Sequence, residues 1–93
     1  MTQKTNKTQI GALEDFAASL LKLKTEKEIT TFLKEILTPN ELKTLSLRWR
    51  LLQMLDEGYT QRGIAKELSV SLCKITRGAK LLNKQSTTKK ILK

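Results

Sequence analysis

Between Ile10 and Leu21 the apolar residues Ile10, Leu13, Phe16, Ala17, Leu20 and Leu21 recur at intervals of three and four. That period predicts an amphipathic helix running to about Leu23. The preceding residues, Met1 to Gln9, are polar, rich in Lys and Thr, and without apolar period. They read as a flexible arm (residues 1–9) ahead of one helical domain over residues 10–93. Thr25, with Glu28 three residues on, has the form of a capping box and opens a second helix with Ile29, Phe32, Leu33 and Ile36 on its face. The sharpest boundary is Leu37-Thr38-Pro39-Asn40-Glu41. Thr38 caps, Pro39 takes the first helical position where its missing N–H costs nothing, and Glu41 completes the box. The third helix runs to about Glu57 and stops at Gly58. Its apolar residues, from Leu42 through Leu45, Leu47, Trp49, Leu51, Leu52 and Met54 to Leu55, cover nearly the whole circumference. A helix apolar all round needs burial on every side. One copy of so short a chain supplies that poorly, so the pattern points to an intimate homodimer with Trp49 in its core. Arg48 and Arg50 interrupt the apolar surface; Arg48 is a candidate site residue, and Arg50 also reads as a solvated charge.

Beyond Gly58 the spacing predicts two short helices, about Gln61–Leu68 and Leu72–Asn83, joined by Ser69-Val70-Ser71. Two helices crossing steeply through a short turn need apolar contacts and one small residue at the closest approach. Ile64, Leu68, Val70 and Ile75 fit the first need and Ala65 the second, so the stretch has the form of a helix-turn-helix at about residues 60–83. Thr60 and Ser71 stand at the two N-caps. Ser69 occupies the turn position that often carries Gly, which a looser turn would tolerate. Gly63, inside the first of these helices, costs about 1 kcal/mol in propensity relative to Ala. On the second, Leu72, Ile75, Ala79 and Leu82 line the inward face, leaving Cys73, Lys74, Thr76, Arg77, Lys80 and Lys84 around the rest. Small residues mixed with cations suit entry into a major groove flanked by phosphates. The alternative is an ordinary helical hairpin with a solvated basic face. The tail from Lys84 is basic, with a last turn that Ser86 could cap. No repeat or strand alternation interrupts the series, and the fold class is all-α, with five to six short helices.

Composition sharpens this picture. The 93 residues carry 18 Lys+Arg against 9 Asp+Glu, a net +9. In residues 1–57 nine basic residues meet eight acidic ones, leaving +1, whereas residues 58–93 hold nine basic residues against Glu67 alone, leaving +8. This asymmetry is the footprint expected of a polyanion-binding head on a nearly neutral scaffold; the alternative is a basic tail that only aids solubility. Histidine is absent and Cys73 is the one cysteine. A His-based triad, a His-ligated metal and a disulfide framework are thereby excluded, and a lone thiol without a general base does not make an enzyme. Cys73 reads as a small groove-facing residue before a redox sensor. No stretch resembles a signal peptide or membrane span, which predicts a soluble, cytoplasmic protein with reduced Cys73, no membrane partner, no metal and no cofactor.

Leu37-Thr38-Pro39 with Glu41, Arg48-Trp49-Arg50, Thr60-Gln61-Arg62 and Ile75-Thr76-Arg77-Gly78, in this order and spacing, resemble the bacterial tryptophan repressor family. The likeness covers about residues 37 to 84. It implies an intertwined homodimer with two DNA-reading heads, set at their working separation by free L-tryptophan as corepressor. It also implies that Arg48 and Arg77 hold the indole ring, that backbone groups matching Glu35 to Thr38, Leu37 and Thr38 among them, come from the other subunit, and that Gly78 leaves room for the ligand. Base-edge contacts map onto Leu72, Cys73 and Thr76, with Lys74 beside them at the reading tip, and phosphate contacts onto Gln61, Arg62 and Lys80. The family pattern is departed from at Leu81, where a small Ser is usual, at Cys73 and Lys74, which replace small residues, and by one residue fewer near Gly58. The function expected is a sequence-specific, tryptophan-controlled repressor of transcription on a palindromic operator in double-stranded DNA. Two alternatives stay open: a regulator of the same fold that does not depend on tryptophan, and a nonspecific basic nucleic-acid-binding protein.

Overall fold

The computed structural model describes residues 5–83 and 86–92, with the backbone alone for residues 5–10. These residues form six helices and no strand: α1 (Thr5–Leu20), α2 (Glu26–Ile36), α3 (Pro39–Asp56), α4 (Gln61–Leu68), α5 (Leu72–Leu82) and α6 (Thr87–Leu92). The all-α expectation is met. Helix α1 begins earlier than its apolar period, so residues 5–9 of the expected arm are helical. Lack of an apolar face removes a reason to pack but does not stop a helix, and no Pro or Gly intervenes between Thr5 and Ile10. Residues 1–4, the side chain of Ile10, Lys84 and Lys93 lie outside the described part. Contacts divide the chain into two compact units, residues 1–39 and 40–93.

In the first unit α1 closes through a tightened turn, Leu21, Lys22 and Leu23 each donating to the carbonyl three residues back. The Thr25 side chain accepts from the Glu28 N–H at 3.1 Å. The Glu28 carboxylate reaches back to the N–H of Lys24 at 2.7 Å, one residue before the cap. Phe16 of α1 stacks on Phe32 of α2 with ring centroids 5.6 Å apart. No residue between Gly11 and Pro39 is fully buried, and Leu13 and Leu21 remain 69% and 86% exposed.

The second unit has a true core. Leu51, Leu52 and Met54 of α3 are buried, and Ile64 of α4 and Ile75 of α5 lose all exposure. Leu55, Ala65, Leu68 and Val70 close around them. Burying each isoleucine is worth about 1.5–3 kcal/mol relative to leaving it in water. Helix α3 ends in a double reverse bond, the Gly58 N–H reaching the Leu55 carbonyl at 3.1 Å and the Tyr59 N–H that of Met54 at 3.0 Å. This closure needs a left-handed residue, and Gly58 supplies it at φ +96°. Trp49, expected in the core, is 38% exposed, and Leu45 43%. Both lie on the part of α3 that one chain leaves uncovered.

Candidate nucleic-acid interface

Helices α4 and α5 are held at the spacing the sequence foreshadows. Thr60 caps α4 by accepting from the Gly63 N–H at 3.0 Å. Ser71 caps α5 through the Lys74 N–H at 3.4 Å. Between them the turn is not loosened at Ser69, as the sequence led us to expect; Ser69 itself takes the left-handed conformation, φ 55° and ψ 44°. A residue with a Cβ is strained there, and the packing of Ile64 on Ile75 holds it in place. Gly63 also has a local reason: a Cβ would stand 2.9 Å from the capping oxygen of Thr60.

Within this frame Cys73, Lys74, Thr76, Arg77 and Lys80 of α5 are all exposed, as are Gln61 and Arg62 of α4. The buried face of α5 is Ile75 and Gly78, with Ala79 and Leu82 half-buried. Leu72, expected to face inward, is instead 51% exposed at the first position of α5. That position precedes the stretch of α5 anchored by Ile75. The face left to solvent thus carries cations beside Cys73, Thr76 and Leu72, with no acidic residue on α5 at all.

Two relations were not legible from spacing. The Thr76 hydroxyl donates to Oε1 of Gln61 at 3.4 Å, joining residues fifteen apart in sequence. At Gly78 a Cβ would lie 3.2 Å from Leu52, 3.3 Å from Leu55 and 3.5 Å from Leu51, so this glycine brings α5 close against α3. The residues matched to the ligand are divided between the units: Leu37 and Thr38 stand at the end of α2, whereas Arg48, Arg77 and Gly78 belong to residues 40–93. Leu37 is half-buried and its N–H closes α2 on the Leu33 carbonyl at 2.9 Å. Arg48, like Arg77, is exposed. Beyond α5, Ser86 donates to the Leu81 carbonyl and accepts from the Lys89 N–H, both at 3.1 Å, and so starts α6 against the end of α5. Among the described residues there is no cluster of metal-ligating side chains, and no helix is long and apolar enough to cross a membrane.

Comparison with known proteins agrees with this geometry. The sequence pattern of the Trp repressor protein family matches residues 11–93. A Trp operon repressor homolog of Chlamydia caviae is 35% identical over 83 residues, which cover 88% of this chain and 79% of that protein. A second, from Actinobacillus succinogenes, is 42% identical over 52 residues, covering 55% of this chain and 52% of the relative. No solved structure matches the chain. With a match over nearly its full length and a helix-turn-helix presenting a basic face, the chain belongs to the Trp repressor family of DNA-binding transcription regulators, which are not enzymes.

Proposed function

We propose that two copies of this chain form a cytoplasmic homodimer that represses transcription from a palindromic operator, with L-tryptophan as corepressor. The observation that carries this reading is the exposed set Cys73, Lys74, Thr76, Arg77 and Lys80 on a helix anchored by fully buried Ile75. Leu72, Cys73 and Thr76 meet base edges, with Lys74 at the same tip, while Gln61, Arg62 and Lys80 hold phosphates. Dimerisation is supported by the apolar surface one chain leaves in water, Leu13, Leu21, Ile36, Leu45 and Trp49 among it. In that dimer residues 10–93 act as one DNA-binding domain. Helix-turn-helix dimers, of which the Trp repressor is itself a type case, read half-sites about 34 Å apart.

Arg48 and Arg77 sandwich the indole, because guanidinium planes stack on aromatic faces and can also pair with a carboxylate. Backbone groups of Leu37 and Thr38 from the second copy close the site, beside Gly78. The ligand acts by binding one orientation of the heads better than another, since only differential affinity can shift such an equilibrium. Capture of genomic duplex fragments with and without L-tryptophan tests the proposal. The protein should enrich a small set of fragments only when the amino acid is present. Arg48→Ala should lose that dependence while keeping its affinity for random duplex. An Arg48→Ala protein with an unchanged tryptophan titration would remove the ligand site.

A second reading, regulation without tryptophan, is favoured by Leu81, half-buried near the end of α5 where the family pattern has a small Ser. Calorimetry separates the two: no heat at millimolar L-tryptophan selects the second. Equal affinity for random and captured duplex across a salt series would reduce both to nonspecific binding.

A further inference from the structure

The bond from Thr76 to Gln61 has a chemical consequence beyond stability. Both side chains are exposed and the O···O distance is 3.4 Å, so the bond adds little to folding free energy. A threonine hydroxyl that rotates freely offers one hydrogen and two lone pairs, and in the major groove it can meet either a donor or an acceptor. While this bond is made, its hydrogen points to the Gln61 carbonyl oxygen and only lone pairs face outward. The Gln61 amide keeps both N–H donors for a phosphate. A phosphate held there restrains the side chain and polarises its carbonyl, which strengthens the bond from Thr76. The backbone on both sides is fixed: Thr60 caps the helix at Gln61, and Ile75, next to Thr76, is fully buried.

We propose that Gln61 is a positioning residue that makes Thr76 an acceptor-only reader. The protein then selects amino bases (adenine through N6, cytosine through N4) over keto bases (guanine O6, thymine O4) on the strand that Thr76 faces. This rests on α5 being the recognition helix, as argued above. The same bond couples a phosphate contact on α4 to base choice on α5, so that register on the backbone and reading of the base are set together.

Selection from a fully randomised duplex library in the presence of L-tryptophan, followed by sequencing, tests this on the 93-residue chain. Wild type should show one position in each half-site at which A and C exceed G and T by about five- to tenfold, the scale of one good groove contact. Thr76→Val and Gln61→Ala should each flatten that same position, and the double variant should flatten it no further. Thr76→Ser, which keeps the hydroxyl, should retain the preference. Gln61→Glu should also retain it, because a carboxylate still accepts from Thr76, while affinity falls about tenfold on every sequence for want of a donor to phosphate. The proposal is overturned by an amino-base preference that survives Gln61→Ala, by a keto preference at the Thr76 position, or by a Gln61→Glu variant that loses selectivity as Gln61→Ala does. A wild type that enriches no sequence would overturn the recognition-helix reading as well. Enrichment of a motif with no Thr76-dependent position would overturn the coupling alone.

Discussion

Three residues carry more of the head's geometry than their size suggests. Ser69 holds a left-handed conformation that glycine adopts without strain, and Gly there is the usual choice in such turns. Ser69→Gly should therefore raise stability by about 1 kcal/mol, read as a higher urea midpoint with unchanged slope. The entropy cost of a new glycine in the unfolded chain keeps the gain from being larger. Gly78 faces the ends of three leucines at 3.2–3.5 Å. Leucine methyls can retreat by a few tenths of an ångström, so Gly78→Ala should be close to neutral, helix propensity offsetting the crowding. Gly78→Val has no such relief and should cost about 2 kcal/mol or more, in the range of overpacked cores. The third is Thr60, whose oxygen satisfies the Gly63 N–H; Thr60→Ala should cost about 1 kcal/mol and destabilise α4 first, visible as faster amide exchange in its first turn.

At the scale of elements, α4 and α5 were readable because their signals are local. Apolar residues at three and four, Thr60 and Ser71 at the caps, and Gly58 at the end of α3 each act within one or two turns. The core partners Ile64, Leu68, Val70 and Ile75 followed from the same spacing. What escaped depends on longer reach. The start of α1 at Thr5 has no apolar period to mark it, and the left-handed turn at Ser69 is a cost accepted only because Ile64 and Ile75 pack as they do. Leu72 satisfies the period of α5 but lies before the anchored stretch, so periodicity alone assigned it to the wrong side. The Gln61–Thr76 bond joins two helices through side chains, which no local pattern encodes. Of the candidate site, the exposure of Cys73, Lys74, Thr76, Arg77 and Lys80 was legible in the spacing and that of Leu72 was not, whereas the ligand residues rested on family likeness. The start of α6 is held by the two bonds of Ser86. Ser86→Ala should fray the six-residue α6, seen as lost exchange protection there, with α4 and α5 unaffected.

For the whole molecule, charge and apolar exposure describe two different partners. The +8 of residues 58–93 belongs to a polyanion, and its binding should weaken steeply with salt, since each neutralised phosphate contributes about 0.9 to the slope of log affinity against log salt. Arg62→Ala and Lys80→Ala should each lower that slope by about 1 and weaken all sequences alike. In the homodimer proposed above, the uncovered leucines of residues 11–39, with Trp49, pack against the second copy. Sedimentation should accordingly report twice the 10.6 kDa chain mass, and the Trp49 emission should shift to the blue as protein concentration rises through dissociation. These two surfaces meet in the claim that a symmetric pair of basic heads reads DNA. Hydroxyl-radical footprinting on a captured genomic fragment tests it most directly: two protected half-sites related by a two-fold axis, centred about 34 Å or a multiple of it apart, are expected, and a single unsymmetrical footprint, or uniform protection along the duplex, would contradict it.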